Sequence, residues 1–571
     1  MVGSSSRRGR AALIEQLLAD GIDHMFGNPG TVEQGFLDTL RNYPAMRYIL
    51  TLQESIAVLT ADGYARAMQK PALVQLHSSP GIGNAVGALY QAKRGHAPLL
   101  VIGGDAGLRY MNMDAQMAAD LVAIMEPVTK YATMVLDPRS LLRTLRRALK
   151  IAATPPMGPV YVCLPADVLD AFNDETIAPT SLPSTRACAD EAAVEQAAEW
   201  LLDAAKPMIY IGDGVAYAQA NDELRQVAEL LGAEVYGVDQ GDLNMDWTHP
   251  LYRGTTGHMF GEHSLPILRS GDVNLVVGTY MVPEVFPELG DIFAPAAKVV
   301  HFDLNAYEIA KNHRVDLGVV CDPKLSLAAL AEAIAARRSN AQADQARMLT
   351  TALVERKRAE VEADLAADDA DCGRNPPRMA EFARALAAQA PDDVLVFDEA
   401  LTSSPELTRY LQPQGAGGYF CTRGGSLGVG IPGAIGAKLA RPERTVIGFT
   451  GDGGSMYTIQ ALWTAARHNV GAKFVICNNG SYRLLQLNIQ QYWQDVGDEA
   501  HDPPLCFDLS DPPIHFTDLA RSLSVDAVRV EKSAEIAPAI ERMLADDRPF
   551  LIDLVLAGDT HPVLIGVKCG Q

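Results

Sequence analysis

Two residues pose the chemical question. Asp452 closes an apolar, strand-like run in "TGDGGS" (450–455), and Asn479 closes the next such run in "CNNGS" (477–481), 27 positions later. That interval accommodates one helix and one strand, so in a βαβ unit both side chains emerge at the same edge of a parallel sheet, on neighbouring strands. A carboxylate, an amide oxygen and nearby backbone carbonyls suit a hard cation, Mg²⁺ or Ca²⁺. Mg²⁺ in particular completes its shell with phosphate oxygens and water. Gly451, Gly453, Gly454 and Ser455 surround the aspartate just before a helical pattern, where backbone N–H groups and the positive helix end face phosphates. Asp-Gly and Asn-Gly are also ordinary turn dipeptides. Their spacing on successive strand ends favours a metal–diphosphate site.

The elements that must position this pair are repeated along the chain. With 571 residues the protein is too long for one core and suits three domains. Residues 1–180 alternate helical patterns with short apolar strands such as "HMFGNPG", "YILTLQE", "PALVQLHSS", "APLLVIGGD" and "GPVYVCLPADV". Strands ending in Gly, Ser or Asn loops predict a parallel, doubly wound sheet with ligand sites at the carboxyl ends of its strands. A Pro/Ser/Thr-rich linker (176–190) precedes a second α/β block over 190–345, followed by an Ala- and charge-rich helical stretch to about residue 368 and a second linker, "DDADCGRNPPR". A third block covers 375–571, and its similarity in size and punctuation to the first suggests a duplicated architecture.

Composition narrows the function. Lys and Arg number 48 against 70 Asp and Glu, a net charge of −22, which argues against a nucleic-acid surface or a polybasic membrane anchor. No apolar run reaches the roughly 18–20 residues of a membrane span, and the amino-terminal residues lack the apolar core of a signal peptide. Eight cysteines without metal-ligand spacing read as reduced, mostly buried thiols of a cytoplasmic protein. Small-molecule chemistry is the expected class.

The GDG motif followed at 27 positions by the second Asn of "NNG" resembles the cofactor motif of thiamine-diphosphate (ThDP) enzymes, and the resemblance extends over almost the whole chain. It implies a pyruvate-decarboxylase-like fold of three doubly wound α/β domains: an N-terminal pyrimidine-binding domain, a middle domain that holds no ThDP, and a C-terminal diphosphate-binding domain. It further implies that Asp452, the Asn479 side chain and the Ser481 carbonyl bind the metal. In "YILTLQESIAVLTADGYARA", Glu54 matches the glutamate that shares a proton with the aminopyrimidine. In "CTRGGSLGVGIPGAIGAKLA", Gly425 and Leu427 match the backbone contact and apolar wedge for the bent cofactor. Thr402 and Ser403 of "FDEALTSS", with Tyr457 beside the GDGGS turn, are further cofactor contacts.

Within that family, "FGNPGT" (26–31), "LQESIAVLTADGYA" (52–65) and "LHSSPGIGNAVGAL" (76–89) resemble benzoylformate decarboxylase and its relatives. Thr31 then falls on a serine that contacts the substrate carboxylate, and His77 on a proton-relaying histidine followed by Ser78. An imidazole titrating near neutrality suits that work. The middle-domain histidine of that enzyme has no counterpart in "VVGTYMVPEVFPELGDIF", where Tyr280, Glu284 or Val285 fall nearby. Arg483 stands where the relative has a small residue; it either binds an anionic substrate or serves as an ordinary ion-pair partner. The implied activity is a non-oxidative 2-oxo acid decarboxylase or carboligase, working through a ThDP ylide and an enamine. The alternative is a 2-hydroxyacyl-CoA lyase or acetolactate-synthase-like enzyme, with the C-terminal "HPVLIGVKCGQ" as a lid over a nucleotide. Expected partners are a small 2-oxo acid, an aldehyde or an acyl-CoA, with no nucleic acid and no membrane. FAD is not expected, since "YIGDGV" (210–215) is only a glycine turn. Because Glu54 and Asp452 lie in different domains, the resemblance implies a homodimer or homotetramer with sites across a subunit interface. Residues 488–515 read as a mobile segment over the site or as an ordinary loop.

Overall fold

The same winding occurs twice in the chain. In the computed structural model, which describes residues 7–256 and 259–557, three six-stranded sheets are each parallel throughout. Counted in chain order, the first sheet comprises His24–Gly27, Arg47–Leu50, Ala72–His77, Leu99–Asp105, Tyr131–Met134 and Val160–Pro165, arranged 2-1-3-4-6-5. The third comprises Leu395–Glu399, Tyr419–Cys421, Val446–Gly451, Lys473–Asn478, Asp526–Val530 and Phe550–Val555, in the same 2-1-3-4-6-5 order. The middle sheet, from Pro207–Ile211 to Leu317–Val320, runs 3-2-1-4-5-6. Strands such as Val160–Pro165 and Phe550–Val555 are buried almost end to end because helices cover both faces.

In a doubly wound sheet the crevice opens where the winding reverses, between strands 1 and 3 of the 2-1-3-4 order. In the first sheet that places Asn28 and His77 side by side, just beyond or at the ends of His24–Gly27 and Ala72–His77. In the third it places Glu399 beside the turn that begins at Gly451. Asn28, His77 and Glu399 therefore lie at the reversal points, while Glu54 follows the second strand of the first sheet and Asp452 and Asn479 follow the third and fourth strands of the third sheet.

The first and third units are fused through a close helix crossing. Helix Glu54–Met68, 15 residues and almost wholly buried, packs against helix Gly430–Ala440. A Cβ on Gly63 would lie 2.2 Å from the Gly433 carbonyl oxygen, and one on Gly436 would lie 2.0 Å from that of Thr60. Only glycine permits backbones this near. Because Thr60 meets Gly436 and Gly63 meets Gly433, the two helices run antiparallel.

Several sequence expectations change in detail. The helix expected straight after the GDGG turn begins there but is interrupted, as a one-turn helix, Asp452–Ser455, and a separate helix, Ala461–Arg467. The break fits the hydroxyl of Thr458 donating to the Gly428 carbonyl, 2.7 Å away, rather than facing outward from a continuous helix. Among the described cysteines, Cys163, Cys321 and Cys477 are buried and Cys421 is half-buried, but Cys188, Cys372 and Cys506 are exposed. Residues 488–496 belong to helix Arg483–Val496 and Leu505–Phe507 form a 3-10 turn, so only the rest of 488–515 is loop. No helix among the described residues is long and apolar enough to cross a membrane.

Candidate active site

On the amino-terminal side, Gln53 caps helix Glu54–Met68 through its side-chain oxygen on the Ile56 N–H, 3.2 Å away. That cap fixes Glu54 at the first helical position, 8% exposed. Two amides reach its carboxylate: Asn84 Nδ2 at 3.0 Å and Asn28 Nδ2 at 3.4 Å. Gly81 lies between Glu54 and His77, since a Cβ there would meet Glu54 Oε1 at 3.2 Å and His77 Cβ at 3.4 Å. Glu54 Oε1 and the Cβ of His77 thus flank the same glycine.

His77 is held by a residue that motif reading passed over. Its Nδ1 lies 3.0 Å from Oε2 of Glu33, a carboxylate only 3% exposed. Burial raises the Glu33 pKa above the usual carboxylate value, and the neighbouring imidazole opposes that rise. With Glu33 ionised, its carboxylate only accepts, and the pairing then puts the proton on Nδ1 and leaves Nε2 to act on a substrate. Gly30 makes room for this pair: a Cβ there would overlap the His77 ring at 2.0 Å. Thr31 is exposed on the turn between Gly30 and Glu33. Ser78 begins the next helix at φ +38°, and its hydroxyl lies 3.4 Å from the Met117 carbonyl, which Ser79 also reaches at 2.8 Å. Ser78 thereby tethers the segment around Met117. Glu33→Gln should lower kcat by about 10- to 100-fold, a fraction of what a positioned proton donor contributes, because an amide no longer enforces the Nδ1–H tautomer. Steady-state rates with unchanged thermal stability would establish this; wild-type kcat would exclude Glu33 from the relay.

On the carboxy-terminal side, Asp452 Oδ1 accepts from Gly453 N–H at 2.7 Å and Oδ2 from Gly480 and Ser481 N–H at 2.6 and 3.3 Å. Asn479 Oδ1 accepts from the Ser481 N–H and hydroxyl at 3.1 and 3.0 Å. The two strand ends are therefore joined into one oxygen-rich cradle. Burial raises the Asp452 pKa, and these backbone N–H groups counter it. Glycines below the cradle are crowded, with Gly453 against the Tyr482 ring, whereas a Cβ on Gly451 or Gly425 would meet nothing within 4 Å. The cradle faces open space.

The loop bearing Gly425 and half-buried Leu427 crosses beside it, with Gly428 against Tyr457. Thr402 and Ser403 are buried in a single turn after strand Leu395–Glu399. Arg483 opens the following helix and donates to Gln486 Oε1 at 3.1 Å, beside the Ser481 hydroxyl. Residues 507–509 are stitched to the cradle by Tyr482 N–H to Phe507 O at 2.9 Å and Leu509 N–H to Gly480 O at 2.8 Å. Tyr280 is engaged by Asp239, 3.3 Å away, and by the Arg94 guanidinium. Glu284 is buried, while Val285 is exposed. Asp213 of the 210–215 turn is committed to the N–H groups of Gly241 and Asp242. The C-terminal residues 561–571 lie outside the described residues.

Along the helix pair, Glu54 and the end of the Gly425 loop are offset within one chain. Glu54 begins its helix, nine residues before Gly63, and Gly430 lies three residues beyond Gly433 on the antiparallel partner. At 1.5 Å per residue the axial separation is about 18 Å. Among the described residues no three His, Cys, Asp or Glu side chains converge on a metal site. A cation here would draw on one carboxylate, an amide, a carbonyl and ligand oxygens, which fits Mg²⁺ carried with a diphosphate.

A doubly wound fold used twice, with a buried glutamate at a strand-to-helix junction of the first sheet and an Asp/Asn oxygen cradle at neighbouring strand ends of the third, defines a ThDP-dependent enzyme. Residues 7–124, 194–330 and 402–554 match the N-terminal TPP-binding, central and C-terminal TPP-binding domains of thiamine pyrophosphate enzymes. The chain belongs to this family, in the group that includes benzoylformate decarboxylase. It is 30% identical over 557 residues to benzoylformate decarboxylase of Pseudomonas aeruginosa, covering 95% of this chain and 98% of that one. It is 28% identical over 564 residues to the acetolactate synthase large subunit of Corynebacterium glutamicum, covering 97% and 87%. Its structure is similar to the thiamine diphosphate-dependent 4-hydroxybenzoylformate decarboxylase of Rhodococcus jostii RHA1, with a TM-score of 0.83, 26% identity, and coverage of 97% and 100%.

Asn28, Asn84, Glu33 and Glu399 are the residues that sequence reasoning missed. Each lies inside or within two residues of a quoted motif, but an amide or acid beside a glycine turn has no pattern of its own. Only the fold shows which carboxylate it faces.

Proposed function

We propose that the protein is a ThDP- and Mg²⁺-dependent decarboxylase of small 2-oxo acids, of the benzoylformate type, with carboligation to an aldehyde as its alternative outcome. The observation that carries this reading is the Glu33–His77 pair, with the Cβ of His77 and the Glu54 carboxylate on either side of Gly81. It supplies one buried acid for the cofactor and one oriented imidazole for the substrate. When bound, ThDP provides a thiazolium that accepts the electron pair left as CO₂ departs. Glu54 holds a proton at the aminopyrimidine nitrogen. His77 Nε2 moves a proton to and from the substrate-derived oxygen or carbon, and the Thr31 hydroxyl, with Ser78 beside it, orients the substrate carboxylate. Asp452, Asn479 and the Ser481 carbonyl hold the metal. Backbone N–H groups of Gly453, Gly454 and Ser455, with Thr402 and Ser403, bind the diphosphate, while Gly425, Leu427 and Tyr457 form the wall beneath the rings. Arg483, tied to Gln486 at the rim of the cradle, is positioned to attract an anion.

Screening the reconstituted protein against 2-oxo acids, aldehydes and acyl-CoA donors tests the reading. Release of CO₂ with free aldehyde, independent of CoA, is expected. Acetolactate from pyruvate, or cleavage that requires a CoA thioester, would replace it with the chemistry of the acetolactate-synthase or acyl-CoA lyase relatives.

The separation of about 18 Å along the helix pair supports a site completed by a second chain, with two sites in each dimer. Mixing Glu54→Gln and Asp452→Asn subunits should then recover about one quarter of wild-type activity, because half the dimers are mixed and each mixed dimer regains one of its two sites. Complete inactivity of the mixture would place both residues in one chain's site.

A further inference from the structure

Glu399 ends strand Leu395–Glu399, is 1% exposed, and has no part in the chemistry described so far. Its carboxylate accepts from the N–H groups of Gly428 and Gly430, at 2.5 and 2.7 Å, and from the Thr450 hydroxyl at 3.1 Å. A Cβ on Gly454 would lie 3.1 Å from its Oε1. One side chain therefore touches both the loop bearing Gly425 and Leu427 and the strand and turn bearing Asp452.

The loop does not set its own path. Gly424, Gly425 and Gly428 all have positive φ, and glycine leaves such conformations at little cost. Its far end is fixed by Arg423, whose N–H donates to Gln91 Oε1 at 2.9 Å and whose guanidinium faces Asp213 and Asp239. Its near end hangs on Glu399, with the Thr458 hydroxyl on the Gly428 carbonyl.

We propose that Glu399 is a positioning residue that fixes the height of Gly425 and Leu427 above the Asp452 turn. It thereby sets the distance between the wall under the cofactor rings and the clamp on the diphosphate. The cofactor half of this statement rests on the ThDP reading above; the holding of the loop does not. Glutamine keeps the volume, but its NH₂ turns a donor toward Gly428, Gly430 or Thr450, so one anchor is lost.

The test combines hydrogen exchange of residues 422–430 in the cofactor-free protein, ThDP binding by calorimetry at fixed Mg²⁺, and the melting temperature. Glu399→Gln should speed exchange in 422–430 and weaken ThDP by roughly 10- to 100-fold, the size of one lost charge-assisted bond, with turnover largely restored at saturating ThDP. Thr450→Val removes a single donor and should give smaller changes of the same kind, which keeps the test available if the glutamine variant does not fold. Wild-type exchange and wild-type ThDP affinity in a folded variant would overturn the proposal. Failure of the wild-type protein to bind ThDP would overturn the cofactor reading, while the exchange result still decides whether Glu399 holds the loop.

Discussion

Replacing Glu54 with glutamine should reduce kcat by about 10³-fold or more while leaving ThDP bound, since proton transfer by a positioned group contributes up to about 10⁴-fold. The substitution is nearly isosteric, and one of the two amides, Asn84 now on Oε2 or Asn28 now on Oε1, can still donate to the remaining oxygen. What is lost is the ability to carry and release a proton at the aminopyrimidine. The diphosphate cradle, in a different domain, is untouched. Calorimetric ThDP affinity near wild type together with residual turnover would fit this role; undiminished kcat would remove Glu54 from the mechanism.

Asp452→Asn should weaken Mg²⁺-dependent ThDP binding by at least about 100-fold, because the only carboxylate in the donor set supplies the charge that balances the cation. A second effect follows from geometry. Both carboxylate oxygens receive N–H groups within 2.7 Å, and an amide nitrogen in place of either would oppose one of them. The turn at 479–481 should therefore loosen even without metal, visible as faster hydrogen exchange there. Chelating Mg²⁺ should release cofactor from the wild-type protein and have no further effect on the variant. Wild-type affinity in the variant would place the metal elsewhere.

These two residues were the most legible part of the sequence, for a physical reason. Asp452 and Asn479 lie at strand ends a fixed interval apart, and a parallel βαβ unit converts that interval into proximity. Glu54 was legible through its surroundings, at a strand-to-helix junction within a long motif. The duplicated winding could be suspected from size and glycine punctuation, but the common 2-1-3-4-6-5 order was not written in either half, since strand order depends on contacts distant in sequence. Glu33 and Glu399 were illegible for a related reason. The first matters because its helix turn brings it under His77, and the second because a loop some 30 residues later folds back onto it. Arg483 shows the opposite case, a prominent charge that donates to Gln486, a neighbour on its own helix.

The glycine crossing of helices Glu54–Met68 and Gly430–Ala440 bears on how a cofactor gets in. Backbones that touch at Gly63–Gly433 and Thr60–Gly436 leave little slack for a hinge at this crossing, so the outer two units of one chain are expected to move as a single block. On the two-subunit reading, entry and escape of ThDP then depend on the blocks parting from one another. The lifetime of the loaded enzyme becomes a measure of how often two chains breathe apart, and bulk introduced at the crossing would alter the shape of the block without giving the cofactor a door.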